Sequence, residues 1–144
     1  MPLISVTRLR IRSLRFLPGF ALYSSQSLRQ VKKAAGFQQG RLLPDRNWTF
    51  WTLTAWDDEQ SMRQFMTAGA HKKAMLKLID WCDEASVVHW QQDQADLPSW
   101  AEVDQRMRLD GRPSKLRNPS PGHATLAYRT PRLTRGGQIR RSQP

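Results

Sequence analysis

The stretch Asn47–Trp56 constrains this chain most. It reads Asn-Trp-Thr-Phe-Trp-Thr-Leu-Thr-Ala-Trp, a run of aromatic and β-branched residues suited to a β-strand. Side chains alternate across a strand, so Trp48, Phe50 and Trp56 fall on one side and Trp51 and Leu53 on the other. A strand bulky and apolar on both sides has both faces buried. One layer of helices covers only one face of a sheet, so something further has to cover the second.

The flanking segments supply the rest of the sheet. Leu3–Ile11 reads as a first strand whose alternation slips: Ile4 and Val6 share one parity, Leu9 and Ile11 the other, which predicts a bulge near Thr7-Arg8. Pro18 suits the first turn of a helix. Phe20, Tyr23, Ser24, Ser27, Leu28, Val31 and Ala35 mark that helix's inner face, and Gly36 is its expected stop. Phe37–Leu43 is a weaker second strand, turned through Pro44-Asp45-Arg46-Asn47 into the aromatic strand. Ala85–Trp90 is the last strand. The order β-α-β-β-α-β is the ferredoxin-like, split-βαβ arrangement of α+β proteins, with helices on one face only. A second subunit packed sheet to sheet about a two-fold axis is the cover expected for the other face, making the chain a homodimer.

The second helical segment is broken. Asp57 is placed to cap it, with Gln60 three residues on as in a capping box. Met62, Phe65, Met66 and Gly69 then share one face, but Ala74, Met75, Leu78 and Cys82 lie on a face roughly 180° away at about 100° per residue. A straight helix cannot bury both stripes, so a break is expected at Thr67-Ala68-Gly69, with Thr67 capping the second segment. His71 joins the second stripe, beside the break, and therefore points inward. That is a pocket position, and it is equally where a hydrogen-bonded core histidine sits.

Charge divides the chain. Residues 1–104 carry 13 Lys and Arg against 11 Asp and Glu, whereas residues 105–144 carry 10 against one acid, Asp110. The net charge of +11 is thus mostly a property of the C-terminal part. The expected division is a folded domain over residues 1–96, a short helix over 97–108 opened by Pro98 or Ser99 with Trp100, Val103 and Met107 on one face, and a basic extension over 109–144. Rich in Pro, Gly, Ser and Arg, the extension reads as loop or disorder that wraps the domain or its partner. Cys82 is the only cysteine, so no intramolecular disulfide forms, which suits a reducing, cytoplasmic setting. It sits in an apolar stripe and reads as core packing. No apolar run approaches a membrane span. Glycine-rich phosphate loops are absent, and His71 and His89 are too few to make a metal site.

Trp51-Thr52-Leu53-Thr54-Ala55-Trp56-Asp57, followed by Phe65 and then by His71-Lys72-Lys73-Ala74-Met75, resembles the dimeric α/β-barrel superfamily. Its nearest flavour is the antibiotic biosynthesis monooxygenase-like and spheroidene monooxygenase-like group. The resemblance spans about residues 1–92. It implies a cleft between sheet and helices with His71 beside it, and members that include cofactor-independent oxygenases, haem-binding enzymes and proteins of unknown activity. Haem-degrading members carry an asparagine on the first strand, and residues 3–12 hold none. Their helical tryptophan aligns with Phe65, and their haem histidine lies nearer Met75, so haem degradation does not carry over.

The reading that follows is a monooxygenase-like protein that binds or acts on a hydrophobic or aromatic small molecule. His71 is its catalytic candidate, and Tyr23, Trp51, Trp56 and Phe65 are its candidate binding residues. The cofactor expected is none, with haem as the open alternative. Two other classes compete. One is a non-catalytic dimer that binds a ligand or supports assembly. The other is a module whose basic tail contacts nucleic acid or another anionic surface, although Tyr128 is the only aromatic there and stacking readout is not favoured.

Overall fold

The computed structural model describes residues 1–94, 96–131 and 137–142. In chain order the elements are β1 (Leu3–Ile11), α1 (Leu17–Lys32), β2 (Phe37–Asp45), β3 (Thr49–Trp56), α2 (Glu59–Met66), α3 (Gly69–Trp81), β4 (Cys82–Gln91), α4 (Trp100–Asp110), β5 (Arg112–Pro113) and β6 (Gly137–Arg140). A short 3-10 turn, Leu14–Phe16, leads into α1. The sheet order is β5-β4-β1-β3-β2-β6, and every adjacent pair is antiparallel. The four inner strands are the ferredoxin-like core. Two short strands from the extension cover part of its edges, β5 pairing with Ser86 and Val87 of β4 and β6 with Gln39, Gly40, Arg41 and Leu42 of β2.

Both faces of the central strands are buried, and this replaces the bulge expected at Thr7-Arg8. β1 pairs with β3 without interruption from Leu3↔Trp56 to Arg10↔Thr49, and its irregularity lies at Arg10/Ile11 against β4. Leu3, Leu9 and Ile11 pack with α1, α2 and α3, whereas Ile4 and Val6 belong to a separate cluster on the far face. The slipped alternation records two buried faces.

The far face is closed by the chain itself. Trp100, Val103 and Met107 of α4, with Leu97 and Tyr128, pack on Ile4, Val6, Trp51, Leu53, Val88 and Trp90. Ser99 caps α4 by accepting from Glu102 N–H at 3.2 Å, as its sequence suggested. The second subunit inferred from the need for cover is therefore not required by that need. After α4 the chain rounds the β4 edge through backbone bonds from Ser114 to Ala85, Arg117 to Ile79 and Ser120 to Asp83. His123 is buried there, its Nε2 2.7 Å from Ser114 O. The extension expected as loop or disorder thus includes β5, β6 and a packed wrap. Residues 132–136, 143 and 144 lie outside the described residues.

A polar network fastens the wrap. Arg8 and Glu84 pair at 2.7 Å with side chains each 8% exposed. The second Glu84 oxygen receives Ser120 Oγ at 2.8 Å and Arg10 at 3.1 Å, while Arg10 also grips Asp83. Arg8 lies 4.2 Å from the Tyr128 ring and Arg108 4.1 Å from it. Tyr128 donates its hydroxyl to Asp104 Oδ1 at 2.7 Å. Burial and that bond push the Tyr128 phenol up from its usual range.

Local boundaries shift for local reasons. β2 runs on through Pro44, and the hairpin turns at Arg46–Thr49 with Asn47 and Trp48 both at φ +57° and Thr49 N–H bonded to Arg46 O. α1 ends at Lys32 rather than at Gly36. Asp58, not Asp57, caps α2 by accepting from Ser61 N–H, and Asp57 instead accepts from Gln38. Cys82 opens β4, fully buried, with its thiol pushed up to about 12 by burial, and is no nucleophile. Among the described residues no helix is long and apolar enough to cross a membrane.

Because Arg8 and Glu84 are both withdrawn from water, Glu84→Gln leaves a buried guanidinium without its counter-charge. It is expected to destabilise the protein by about 3–5 kcal/mol in urea unfolding. Glu59→Gln, in an exposed α2 pair with Arg63, should change stability by under about 0.5 kcal/mol. Equal effects at the two sites would remove the network from its role in fastening the wrap.

Candidate functional site between the sheet and its helices

The helical layer does not seal against the sheet. A cavity of about 350 Å³ lies between β1, β2 and β3 below and α1, α2 and α3 above. The helix break creates it. α2 and α3 cannot continue one another, because Gly69 takes φ +58° at the first turn of α3. Thr67 closes α2 rather than opening α3, its Oγ1 donating to Arg63 O. Ala68 stands at the α3 N-cap with no side chain to offer.

Gln30, on α1, does what a cap would do for both ends. Its Oε1 accepts from His71 N–H at 2.8 Å, and its Nε2 donates to Ala68 O at 2.8 Å and Phe65 O at 3.2 Å. One amide thus satisfies carbonyls at the end of α2 and an orphan N–H at the start of α3. Sequence patterning missed it, because a glutamine bonding forty residues away leaves no periodic signal. The only local sign was an unbranched amide beside the apolar Val31 on the inner helix.

His71 lies at this junction and lines the cavity. Its Nδ1 is 3.1 Å from Met66 O, which as a carbonyl can only accept. Nδ1 therefore carries the proton, and Nε2 keeps its lone pair. Burial lowers the His71 pKa below its ordinary 6.5, while the Met66 carbonyl works in the opposite direction. Burial thus favours the neutral ring. Phe65 packs on it at 4.5 Å between ring centroids, and Trp56 packs on Phe65 at 5.4 Å.

Of the residues proposed from sequence, Tyr23, Trp56, Phe65 and His71 meet on this cavity. Trp51 is different. It borders the cavity, but its ring lies edge-on to Tyr128 at 5.6 Å on the far face, near Arg8. Strand parity already put it there, and it serves the α4 core. Residues not singled out complete the wall: Phe20 against Phe50 at 4.8 Å, Trp81 against Tyr23 at 5.7 Å, three methionines (62, 66 and 75), and Ile139 from β6. Gly19 lets α1 approach the Trp81 indole, which a Cβ would meet at 2.7 Å.

Among the described residues lining the cavity none is Asp, Glu, Lys or Arg. None groups three or more His, Cys, Asp and Glu as a metal would need. A haem brings two carboxylates, and the cavity has no cation to meet them. The residues present do not fit that group.

The antiparallel ferredoxin-like sheet under its helical layer is a fold shared with solved structures. SnoaB, a cofactor-independent oxygenase from Streptomyces nogalater, superposes with a TM-score of 0.53 at 14% identity, over 65% of this chain and 94% of that one. Rv0793 from Mycobacterium tuberculosis gives 0.59 at 8% identity, over 67% and 100%. A conserved protein from Methanosarcina mazei Go1 gives 0.57 at 14%, over 65% and 94%. Residues 16–132 match the family described as Domain of unknown function (DUF3291), and the chain belongs to that family. The matched span takes in α4 and the wrap as well as most of the sheet. No curated protein matches the sequence.

Gln30→Leu leaves the His71 N–H without a partner and takes a second donor from Phe65 O and Ala68 O, which keep only long backbone bonds from Ala68 and Lys72, and is expected to destabilise the protein by about 1–3 kcal/mol in chemical denaturation. A neutral result would show that water replaces the amide at no loss.

The lowered His71 pKa fixes a pH dependence. Below pH 6.5 the unfolded chain takes up a proton at this ring that the folded chain refuses, so His71 makes stability fall as pH drops from 6.5 through its folded value. Between pH 7.5 and 5.5 the wild-type urea midpoint should fall further than that of His71→Gln. Parallel profiles would contradict a neutral, buried ring.

Proposed function

We propose that this protein binds a neutral, largely apolar small molecule in the cavity between sheet and helices, and that His71 acts on it as the base of an oxygenase-type reaction. The observation that carries this is the setting of His71: it lines an apolar cavity, burial favours its neutral form, and Nδ1 lies 3.1 Å from Met66 O, which leaves Nε2 to act as the base. A base of this kind takes a proton from an acidic O–H or C–H of the ligand onto Nε2. The Met66 carbonyl supports the imidazolium that forms, and the aromatic walls hold the ligand flat and keep water out. The anion left behind is the electron-rich form that an oxygenase without a cofactor would need. The fold of SnoaB, itself a cofactor-independent oxygenase, supports the reading.

One observation favours a second reading, a ligand-binding protein without turnover. No carboxylate among the described residues lines the cavity to stabilise a charged His71. Within the basic extension Arg117 faces Asp80 of the same chain, and ahead of it Arg106 and Arg108 of α4 face Glu102 and Asp104, so these three offer less charge to an anionic partner.

The test is a panel of neutral aromatic compounds, followed by thermal shift for binding and an oxygen electrode for turnover. With a compound that turns over, His71→Gln should keep binding within about threefold and lower kcat by about 10²–10⁴-fold. The acid limb of wild-type kcat/KM should fall below pH 6.5. A His71→Gln variant as active as wild type would remove the base. Binding with no oxygen uptake would favour the second reading.

A further inference from the structure

The inward face of the two central strands is not apolar along its whole length. Strand register sets Leu3 beside Trp56, Ser5 beside Thr54, Thr7 beside Thr52, and Leu9 beside Phe50. Apolar pairs hold both ends of this face, and two hydroxyl pairs hold its middle. Valine has the shape of threonine and would pack under helices without a polar group to satisfy, so the middle is polar for some other reason.

The hydroxyls there are not used up by the protein. Thr54 is engaged, donating to Ser5 O at 3.4 Å and accepting from Trp56 Nε1 at 2.9 Å. Thr7 and Thr52 both line the cavity, and their hydroxyls make no hydrogen bond among the described residues. Above them α1 contributes Ser24 and Ser27. Ser27 Oγ has no accessible surface and so does not open on the cavity, which leaves the Thr7 and Thr52 hydroxyls at its middle. Beyond this belt the walls turn aromatic in both directions, with Phe20 and Phe50 at one end and Trp56 and Phe65 at the other.

We propose that this polar waist selects a neutral ligand that carries a carbonyl at mid-length between two apolar ends, the carbonyl oxygen accepting from Thr7 or Thr52. The proposal rests on the reading of the cavity as a ligand site and adds which ligand it takes. Charged ligands are excluded by the same lining, which has no group to neutralise them. Ligands with oxygen only at an end would leave the waist unsatisfied and put a polar group against the aromatic walls.

Fluorene and 9-fluorenone test this, because they share a skeleton and differ in a central carbonyl. Their Kd values are measured on the full chain by isothermal titration, for wild type, for Thr52→Ala, and for Thr7→Val and Thr52→Val together. Wild type should bind 9-fluorenone about tenfold more tightly than fluorene, about 1.4 kcal/mol. The valine variant should bring that ratio near one without weakening fluorene. Thr52→Ala, which removes one of the two hydroxyls, should lower the ratio and keeps the test decisive if the valine variant does not fold. A wild-type ratio near one, or a ratio unchanged in both variants, overturns the polar waist while leaving the cavity as a ligand site. Failure of both compounds to bind overturns the cavity reading and this proposal with it.

Discussion

Everything in this structure follows from a sheet that is apolar on both faces. β3 places Phe50 and Trp56 toward one side and Trp51 and Leu53 toward the other, and β1 does the same with Leu9 and Ile4. Neither set tolerates water, each fully buried aliphatic side chain contributing about 1.5–3 kcal/mol. The two faces are covered by different means, and the difference is what leaves room for function. On the far face α4 and Tyr128 press directly on the sheet. On the near face three helices span it with a bend between α2 and α3, and the bend keeps them from closing on the middle of the strands.

Charge is buried on the far face as well. Arg8 and Arg10 of β1 and Arg12 just beyond it each find an acid on α3 or β4. Arg8 is the costly one, because its pair with Glu84 is almost wholly withdrawn from water. It is compensated by Ser120 on the carboxylate and by Tyr128 over the guanidinium, both from the wrap. The wrap and the ion pair therefore depend on each other. A segment with few apolar residues is held in place by satisfying a charge that the sheet has buried.

The sequence carried the core architecture well, because periodicity reports burial directly. The element order, the break near Gly69 and the inward placement of His71 all came from which residues recur at helical or strand spacing. What patterning missed was long-range and polar. Gln30 caps a junction some forty residues away, and the caps moved by one residue where two aspartates stood together at Asp57 and Asp58. A wrap was expected only as one choice beside disorder, and its contacts were not legible because one tyrosine, one histidine and a few backbone bonds hold it, not a hydrophobic stripe. The need for cover over the far face was legible, but the source of that cover was not. Trp51, placed by parity on the far face, has its ring against Tyr128 there and also borders the cavity.

The functional account turns on one atom, the bare Nε2 of His71. Its availability depends on Met66 O holding the proton at Nδ1, and that geometry depends in turn on Gln30 fixing the start of α3. The most direct measurement is a long-range ¹H–¹⁵N correlation spectrum of histidine-labelled protein at pH 7, with His71 assigned by its Gln variant. The account predicts a neutral ring with the proton on Nδ1 and an unprotonated Nε2. A proton on Nε2, or a doubly protonated ring, would contradict it.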